Sequence, residues 1–126
     1  FVRDFLDPDA DDKVLIDALN AHKQLRIRLM IPDNAHMTDE TRDTAKHMLP
    51  VINKLRATYG DRVEVRRFPD LARHSFVLVD GDLVAGPVFD GDRSRHAPAV
   101  HVAVDTVFGQ KYSTYFDELW RVSPIA

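Results

Sequence analysis

The sequence predicts an α/β domain in which a mixed β-sheet is flanked by helices. Several short segments alternate apolar and charged residues or run as apolar stretches, which is typical of strands, and three longer segments repeat apolar residues at helical spacing. Strands and helices alternate in the front half of the chain, which predicts parallel pairs. Strands follow one another through turns in the back half, which predicts antiparallel pairs, so one sheet with both pairings is expected.

The composition fits one folded domain. The chain has 126 residues, of which 44% are hydrophobic and 29% charged, an ordinary balance for a single core. The formal net charge of −3 provides no broad basic field for sequence-independent binding to duplex nucleic acid. The absence of cysteine excludes disulfides, thiolate nucleophiles and cysteine-based metal sites.

The ends and apolar runs of the chain set expectations about its setting. No run approaches the roughly 18 apolar residues of a membrane-spanning helix, and the start lacks a signal-peptide pattern. A cytoplasmic location without a membrane partner is therefore expected. Because the first residue is Phe rather than Met, residues 1–126 are expected to be one domain of a longer protein, with DNA contacted only through a module that precedes Phe1.

The first strand and helix are predicted near the start of the chain. Phe1–Leu6 alternates apolar and charged residues and is a predicted strand, and Asp7-Pro8 then supplies an N-cap followed by a proline suited to the first helical turn. Leu25–Ile31 alternates again and is the second predicted strand.

A second helix is predicted between a threonine cap and a glycine. Thr38 is the expected N-cap and Gly60 the expected C-cap. Pro50 lies inside this segment, and a proline there removes one hydrogen bond and clashes with the preceding turn. A kinked or two-piece helix is therefore expected.

The back half is predicted to hold four strands and a final helix. The strand segments are Arg62–Phe68, Ser75–Asp80, Leu83–Ala85 and Pro98–Val104. Asp80-Gly81-Asp82 is expected to form a tight hairpin turn, and the apolar run before it indicates an interior strand. The final helix is expected to begin at Asp105 or Thr106 and to pack through an aromatic stripe.

Three stretches together resemble the phospholipase D superfamily: RVEVRRFPDLARHSFVLVDGDLVAG, PAVHVAV and KYSTYFDELW. The resemblance is to one half-domain of that fold and covers nearly the whole chain. The family pattern is His-x-Lys, an apolar strand, Asp-Gly at the hairpin and then Gly-Ser. It implies a nucleophilic histidine that attacks a phosphodiester while a lysine holds the phosphate.

The residues at the family's catalytic positions depart from that pattern. Aligning the family's Asp-Gly with Asp80-Gly81 places its histidine at Arg73 and its lysine at Ser75. Shifting the frame so that His74 is the nucleophile places Phe76 at the lysine position. Loss of one charge-stabilising donor typically costs about a hundred- to a thousandfold in rate, and this chemistry needs several such groups. The resemblance therefore implies a degenerate catalytic motif.

The chain also resembles phospholipase D-like domains appended to bacterial transcription regulators, whose motifs are likewise eroded. Their final helix ends in Phe-x-x-x-Trp, as Phe116 and Trp120 do here. This implies a non-catalytic regulatory module that senses a ligand, dimerises, or does both. Because the family's sites lie between two half-domains related by a twofold axis, a homodimer is expected.

A small anionic ligand is the expected binding partner of this module. The residues expected to bind it are Arg66, Arg73, His74, Ser75 and Asp80. Guanidinium groups match the geometry of phosphate and carboxylate. The alternative is that the arginines are solvated and paired with Glu64 or Asp70, and that Arg73 and His74 are a polar pair at a strand end.

Two other functions remain open from the sequence. One is an active phosphodiesterase, a nuclease or lipid hydrolase, with His74 as the nucleophile and its symmetry mate as the acid. The other is a purely structural interaction domain.

Residues 90–96 (DGDRSRH) are interpreted as a polar loop, with a mobile cover for the cleft as the alternative. No metal or other cofactor is predicted, because His22, His36, His47 and His101 lack metal-site spacing.

Overall fold

The computed structural model describes residues 13–87 and 98–125. Its elements in chain order are α1 (Lys13–Ala21), β1 (Ile27–Pro32), α2 (Asp39–Tyr59), β2 (Val63–Phe68), β3 (His74–Val79), β4 (Asp82–Pro87), β5 (Val100–Ala103) and α3 (Val107–Val122). Short 3₁₀ turns, Asn34–His36 and Gly60–Arg62, precede and follow α2. The predicted strand Phe1–Leu6, the helix start at Asp7-Pro8 and the loop 90–96 lie outside the described residues.

The described strands form two sheets, one parallel and one antiparallel. β1 and β2 pair in parallel, from Ile27 opposite Val63 to Pro32 opposite Phe68. β3, β4 and β5 pair antiparallel in that order. The α/β class and both kinds of pairing are confirmed. The predicted single mixed sheet is not formed by the described strands, because no ladder joins β1 or β2 to the antiparallel sheet. The prediction that β3 is an interior strand is also wrong for the described strands, because β4 is the strand with a neighbour on each side.

α1 and α2 supply the apolar side chains that bury the parallel sheet. The residues of this core are Leu19 from α1, Met48, Ile52 and Leu55 from α2, and Ile31, Val63 and Val65 from the two strands. Each is at most 2% exposed. Full burial of one such side chain stabilises a fold by about 1.5–3 kcal/mol, so this cluster anchors the parallel pair to its helices.

α2 is one uninterrupted helix of 21 residues. Thr38 caps it by accepting a backbone N–H, and Gly60 ends it at φ 62°, so both predicted caps are confirmed. The two-piece alternative is wrong, because the helix continues through Pro50. Pro50 is exposed, whereas Met48 and Ile52 on either side are buried, and their packing holds both halves of the helix against the sheet.

α3 contacts both sheets through its aromatic side chains. The guanidinium of Arg66 on β2 lies 4.5 Å from the centre of the Trp120 ring, and Trp120 is 8% exposed. Phe116 stacks on Trp120 with ring centres 5.7 Å apart and meets Phe76 of β3 edge-on at 6.0 Å. Thr106 caps the helix, as one of the two predicted starts required. The aromatic stripe therefore links β2 to β3 through α3.

The hairpin between β3 and β4 forms where the sequence predicts it. Val79 pairs with Asp82, and Asp80 takes a positive φ of 52° in the turn between them, a conformation that Asp tolerates better than most residues.

Among the helices that the structure describes, none is both long enough and apolar enough to cross a bilayer.

Candidate functional site

The His74 ring, at the start of β3, is held by two tyrosines of α3. The Tyr112 hydroxyl lies 3.0 Å from Nδ1 of His74. The rings of Tyr112 and Tyr115 meet the imidazole edge-on, with centres 5.4 Å and 5.5 Å away. The two tyrosines are three residues apart, so they lie on one face of the helix and reach the same neighbour. These three side chains, together with Arg73, are referred to below as the His74 cluster.

The hydrogen bond to Tyr112 leaves the second ring nitrogen of His74 available. Among the described residues no side chain or backbone group bonds Nε2, and the residue is half-buried. When the tyrosine O–H donates to Nδ1, Nε2 carries the proton of a neutral ring and donates. In the other tautomer Nδ1–H donates to the hydroxyl oxygen and Nε2 presents a lone pair. The first arrangement favours anion binding and the second favours nucleophilic attack.

Arg73 supplies one fixed positive charge to the cluster. Arg73 is exposed, and one of its terminal nitrogens lies 3.5 Å from Oδ1 of Asp70. Burial raises the pKa of the Tyr115 hydroxyl above 10.0, the negative charge of Asp70 raises it further, and the charge of Arg73 opposes both. Tyr115 is therefore a neutral hydroxyl at physiological pH. The net positive charge near His74 is small, because Asp70 offsets Arg73.

The predicted ligand residue Arg66 is bonded to groups outside the His74 cluster. Arg66 directs Nε and Nη2 to Glu64, at 3.1 Å and 3.0 Å, and Nη1 to the Trp120 carbonyl at 2.7 Å. This is the paired alternative for that arginine, and Arg73 likewise pairs with Asp70.

The predicted ligand residues Ser75 and Asp80 lie at opposite ends of β3, Ser75 inside the strand and Asp80 just beyond it. Asp80 lies six residues beyond His74, about 20 Å away along an extended strand. Ser75 follows His74 directly, with its backbone opposite Gly86. Of the five predicted ligand residues, the fold therefore brings together the adjacent Arg73 and His74 but leaves Asp80 at the other end of β3.

Tyr112 and Tyr115 are neighbours of His74 that the sequence pattern placed only in the aromatic stripe of the last helix. Tyr112 lies 38 residues from His74 in the sequence, so no local pattern connects the two residues. The available signal was the pair of hydroxyl-bearing rings at an i, i+3 spacing within KYSTYF. Phenylalanine would have served packing alone.

An apolar cavity of about 580 Å³ borders the cluster and is lined by residues of β1 and β3. Met48 and Ile52 of α2 and Phe116 and Leu119 of α3 also line it. Arg73, His74 and Tyr115 are the members of the cluster that line it. The candidate site thus joins a polar cluster to an apolar surface.

Within residues 13–87 and 98–125, no three metal-ligating side chains come together. Comparison of the chain with protein-family models, with curated proteins and with solved structures finds no match.

Proposed function

We propose that the chain is a non-catalytic, phospholipase D-like regulatory module that binds a small anionic ligand at the His74 cluster. The observation that supports this most directly is the pairing of Nδ1 of His74 with a tyrosine hydroxyl while Nε2 has no partner among the described residues. With Tyr112 as the donor, Nε2–H of His74 is available to an anion. The guanidinium of Arg73 is the adjacent charged donor.

The same contacts argue against covalent catalysis. A nucleophilic imidazole is usually oriented by a carboxylate that stabilises the charge developing on the ring, and here the partner of His74 is the neutral hydroxyl of Tyr112. The phosphoryl oxygens also need fixed positive charge. Arg73 is the one cation in the described contacts of the cluster, and Asp70 already offsets its charge. Binding needs less of this apparatus than turnover does.

The regulatory role rests on the resemblance stated for the sequence. The Phe116-to-Trp120 ending that carries it forms a stacked pair on α3 and packs under Arg66 of β2. We take the chain to be the ligand-sensing part of a longer cytoplasmic protein, a bacterial transcription regulator, that works as a homodimer. In that dimer the two His74 clusters lie near the symmetry axis, and DNA is contacted by a separate module.

Thermal denaturation with defined anions tests the binding proposal. An anion that binds only the native state raises Tm, because binding adds about 2.7 kcal/mol to the free energy of unfolding at an anion concentration of 100 Kd. We expect inorganic phosphate or pyrophosphate to raise the Tm of the wild-type chain above that in chloride at equal ionic strength. The rise is expected to be smaller in His74→Gln and in Arg73→Gln than in the wild type.

The control for this experiment is His101→Gln. His101 pairs with Asp82 at 3.1 Å on the exposed surface of the antiparallel sheet, outside the His74 cluster, so this variant should keep the full response to phosphate. A wild-type chain that gains no Tm from any of these anions, or a His74→Gln variant that gains as much as the wild type, contradicts the proposal.

A phosphodiesterase is the second candidate, and one observation favours it. Tyr112 fixes the orientation of the His74 ring at Nδ1 and leaves Nε2 without a partner in the described part of the chain, which is the arrangement that a nucleophile needs in the Nδ1–H tautomer. The acid would be His74 of a second copy across the twofold axis. Mass spectrometry of acid-sensitive phosphohistidine after rapid mixing with a phosphodiester would detect the covalent intermediate, and none is expected if the first proposal holds.

A further inference from the structure

A second polar cluster lies at the carboxyl ends of β1 and β2. Its members are Asp33, Asn34 and His36, which follow β1, and Arg67 near the end of β2. Because the strands are parallel and Pro32 lies opposite Phe68, both strands end at the same edge. Ligands of open α/β sheets bind outside the carboxyl ends of the strands. Among the described residues, no hydrogen bond, ion pair or ring contact joins this cluster to the His74 cluster.

Asp33 fixes the position and the tautomer of His36. Its backbone N–H donates to the Phe68 carbonyl at 3.0 Å, which ties the turn to β2. Its Oδ1 accepts the backbone N–H of His36 at 3.1 Å and lies 2.5 Å from Nδ1 of the ring. The hydrogen bond from the His36 side chain lowers the pKa of the Asp33 carboxyl. The carboxylate therefore accepts the Nδ1 proton, and Nε2 is left on a ring that is 39% exposed.

Arg67 is held at one corner of its guanidinium. Nη1 donates to Oδ1 of Asn34 at 3.3 Å and approaches the Pro32 carbonyl at 3.5 Å. Within the described part of the chain, no hydrogen bond joins Nε or Nη2 of this half-buried side chain to another group. Nε and Nη2 form one of the two-donor faces with which a guanidinium grips a planar or tetrahedral oxyanion.

We propose that His36 and Arg67 form a binding site for a phosphate group, separate from the His74 cluster. Nε2 of His36 accepts a hydrogen bond from a P–OH group of the phosphate, and Arg67 donates to the phosphate oxygens through Nε and Nη2. Asp33 accepts hydrogen bonds from the backbone and the ring of His36, so its carboxylate lies against the imidazole. Asn34 orients Arg67 through its side-chain oxygen and serves as a positioning residue.

Side-chain NMR of the chain labelled with ¹⁵N at histidine and arginine tests the site. Inorganic phosphate is titrated against chloride at constant ionic strength, with a phosphate monoester as a second arm that distinguishes an esterified phosphate from the free ion, and acetate as a third. We expect saturable shifts at the His36 ring and at Nε of Arg67. His36→Gln and Arg67→Gln should each weaken binding about tenfold or more, as loss of a charged hydrogen bond implies. Arg67→Lys keeps the charge but loses the fork, so it should also weaken binding.

The matched control is His47→Gln, because His47 also pairs with a carboxylate, Asp43, at 3.9 Å on the exposed side of α2. That variant should bind phosphate as the wild type does. Equal shifts at all histidines, no saturation at His36, or unchanged affinity in both the His36 and Arg67 variants overturns the site. His74→Gln separates the two proposals: loss of the His36 response in that variant refutes a separate site, whereas a response of His74 alone refutes this proposal and leaves the proposed function standing.

Discussion

Gly109→Ala tests the packing that places the α3 tyrosines beside His74. Gly109 is buried in the first turn of α3, and its N–H donates to Oγ1 of the Thr106 cap at 3.1 Å. A Cβ at this position would lie 2.4 Å from the Ala103 carbonyl oxygen, and 2.6 Å and 2.7 Å from Cα and O of Val104. All three are backbone atoms, so no side chain can rotate away.

Two opposing effects decide the sign of this change. Alanine is favoured over glycine inside a helix by about 1 kcal/mol. Moving a packed backbone segment by about 1 Å to admit the methyl group belongs to the overpacking class, which costs about 1–3 kcal/mol and occasionally more. Because the contacts at Gly109 involve the turn itself, we expect the clash to prevail by about 1 kcal/mol, or roughly 4 °C in Tm.

Urea denaturation followed by circular dichroism measures this difference. Gly81→Ala is the control, because a Cβ there meets nothing within 4 Å and φ is not positive. It should be neutral or stabilising by up to about 1 kcal/mol, through the reduced freedom of the unfolded chain. A Gly109→Ala variant as stable as the wild type would refute the packing argument.

Three further predictions concern single hydroxyl and carboxyl groups. Tyr112→Phe removes the bond to His74 and should cost about 1 kcal/mol in denaturation while shifting the His74 ring resonances. The lowered pKa of Asp33 means that its stabilising contribution is present above pH 3.8 and is lost as pH falls through the lower folded value; Tm of the wild type and of Asp33→Asn should therefore converge on acidification. The raised pKa of Tyr115 acts at alkaline pH instead. The stability that the neutral hydroxyl contributes is present below about pH 10 and is lost as pH rises through the pKa of the folded state. Tyr115→Phe should therefore flatten the decline of Tm at alkaline pH.

Local signals located most of the described elements. The ends of α2 at Thr38 and Gly60 were predictable because a side-chain cap and a positive φ are properties of single residues. The turn at Asp80-Gly81 between β3 and β4 was predictable for the same reason. The two-piece alternative for α2 was wrong because continuity across Pro50 depends on burial of the flanking residues, which a local rule does not contain. The membership of each sheet depends on long-range pairing and could not be read from alternation alone.

The candidate site was predictable only in part. Arg73 and His74 are neighbours in sequence, so their proximity needed no fold. The contact of His74 with Tyr112 spans 38 residues and depends on how α3 docks. Arg66 had two open interpretations, and its bonds to Glu64 and to the Trp120 carbonyl were settled by packing that brings together distant segments.

We propose that the His74 cluster binds an anion without cleaving a phosphodiester. The most direct measurement is hydrolysis of bis(4-nitrophenyl) phosphate by the purified chain and by His74→Gln, on the same samples whose phosphate-dependent Tm is recorded. We expect equal background hydrolysis in both proteins and a larger phosphate-dependent rise in Tm in the wild type than in His74→Gln. Hydrolysis by the wild type that the His74→Gln change abolishes would contradict it.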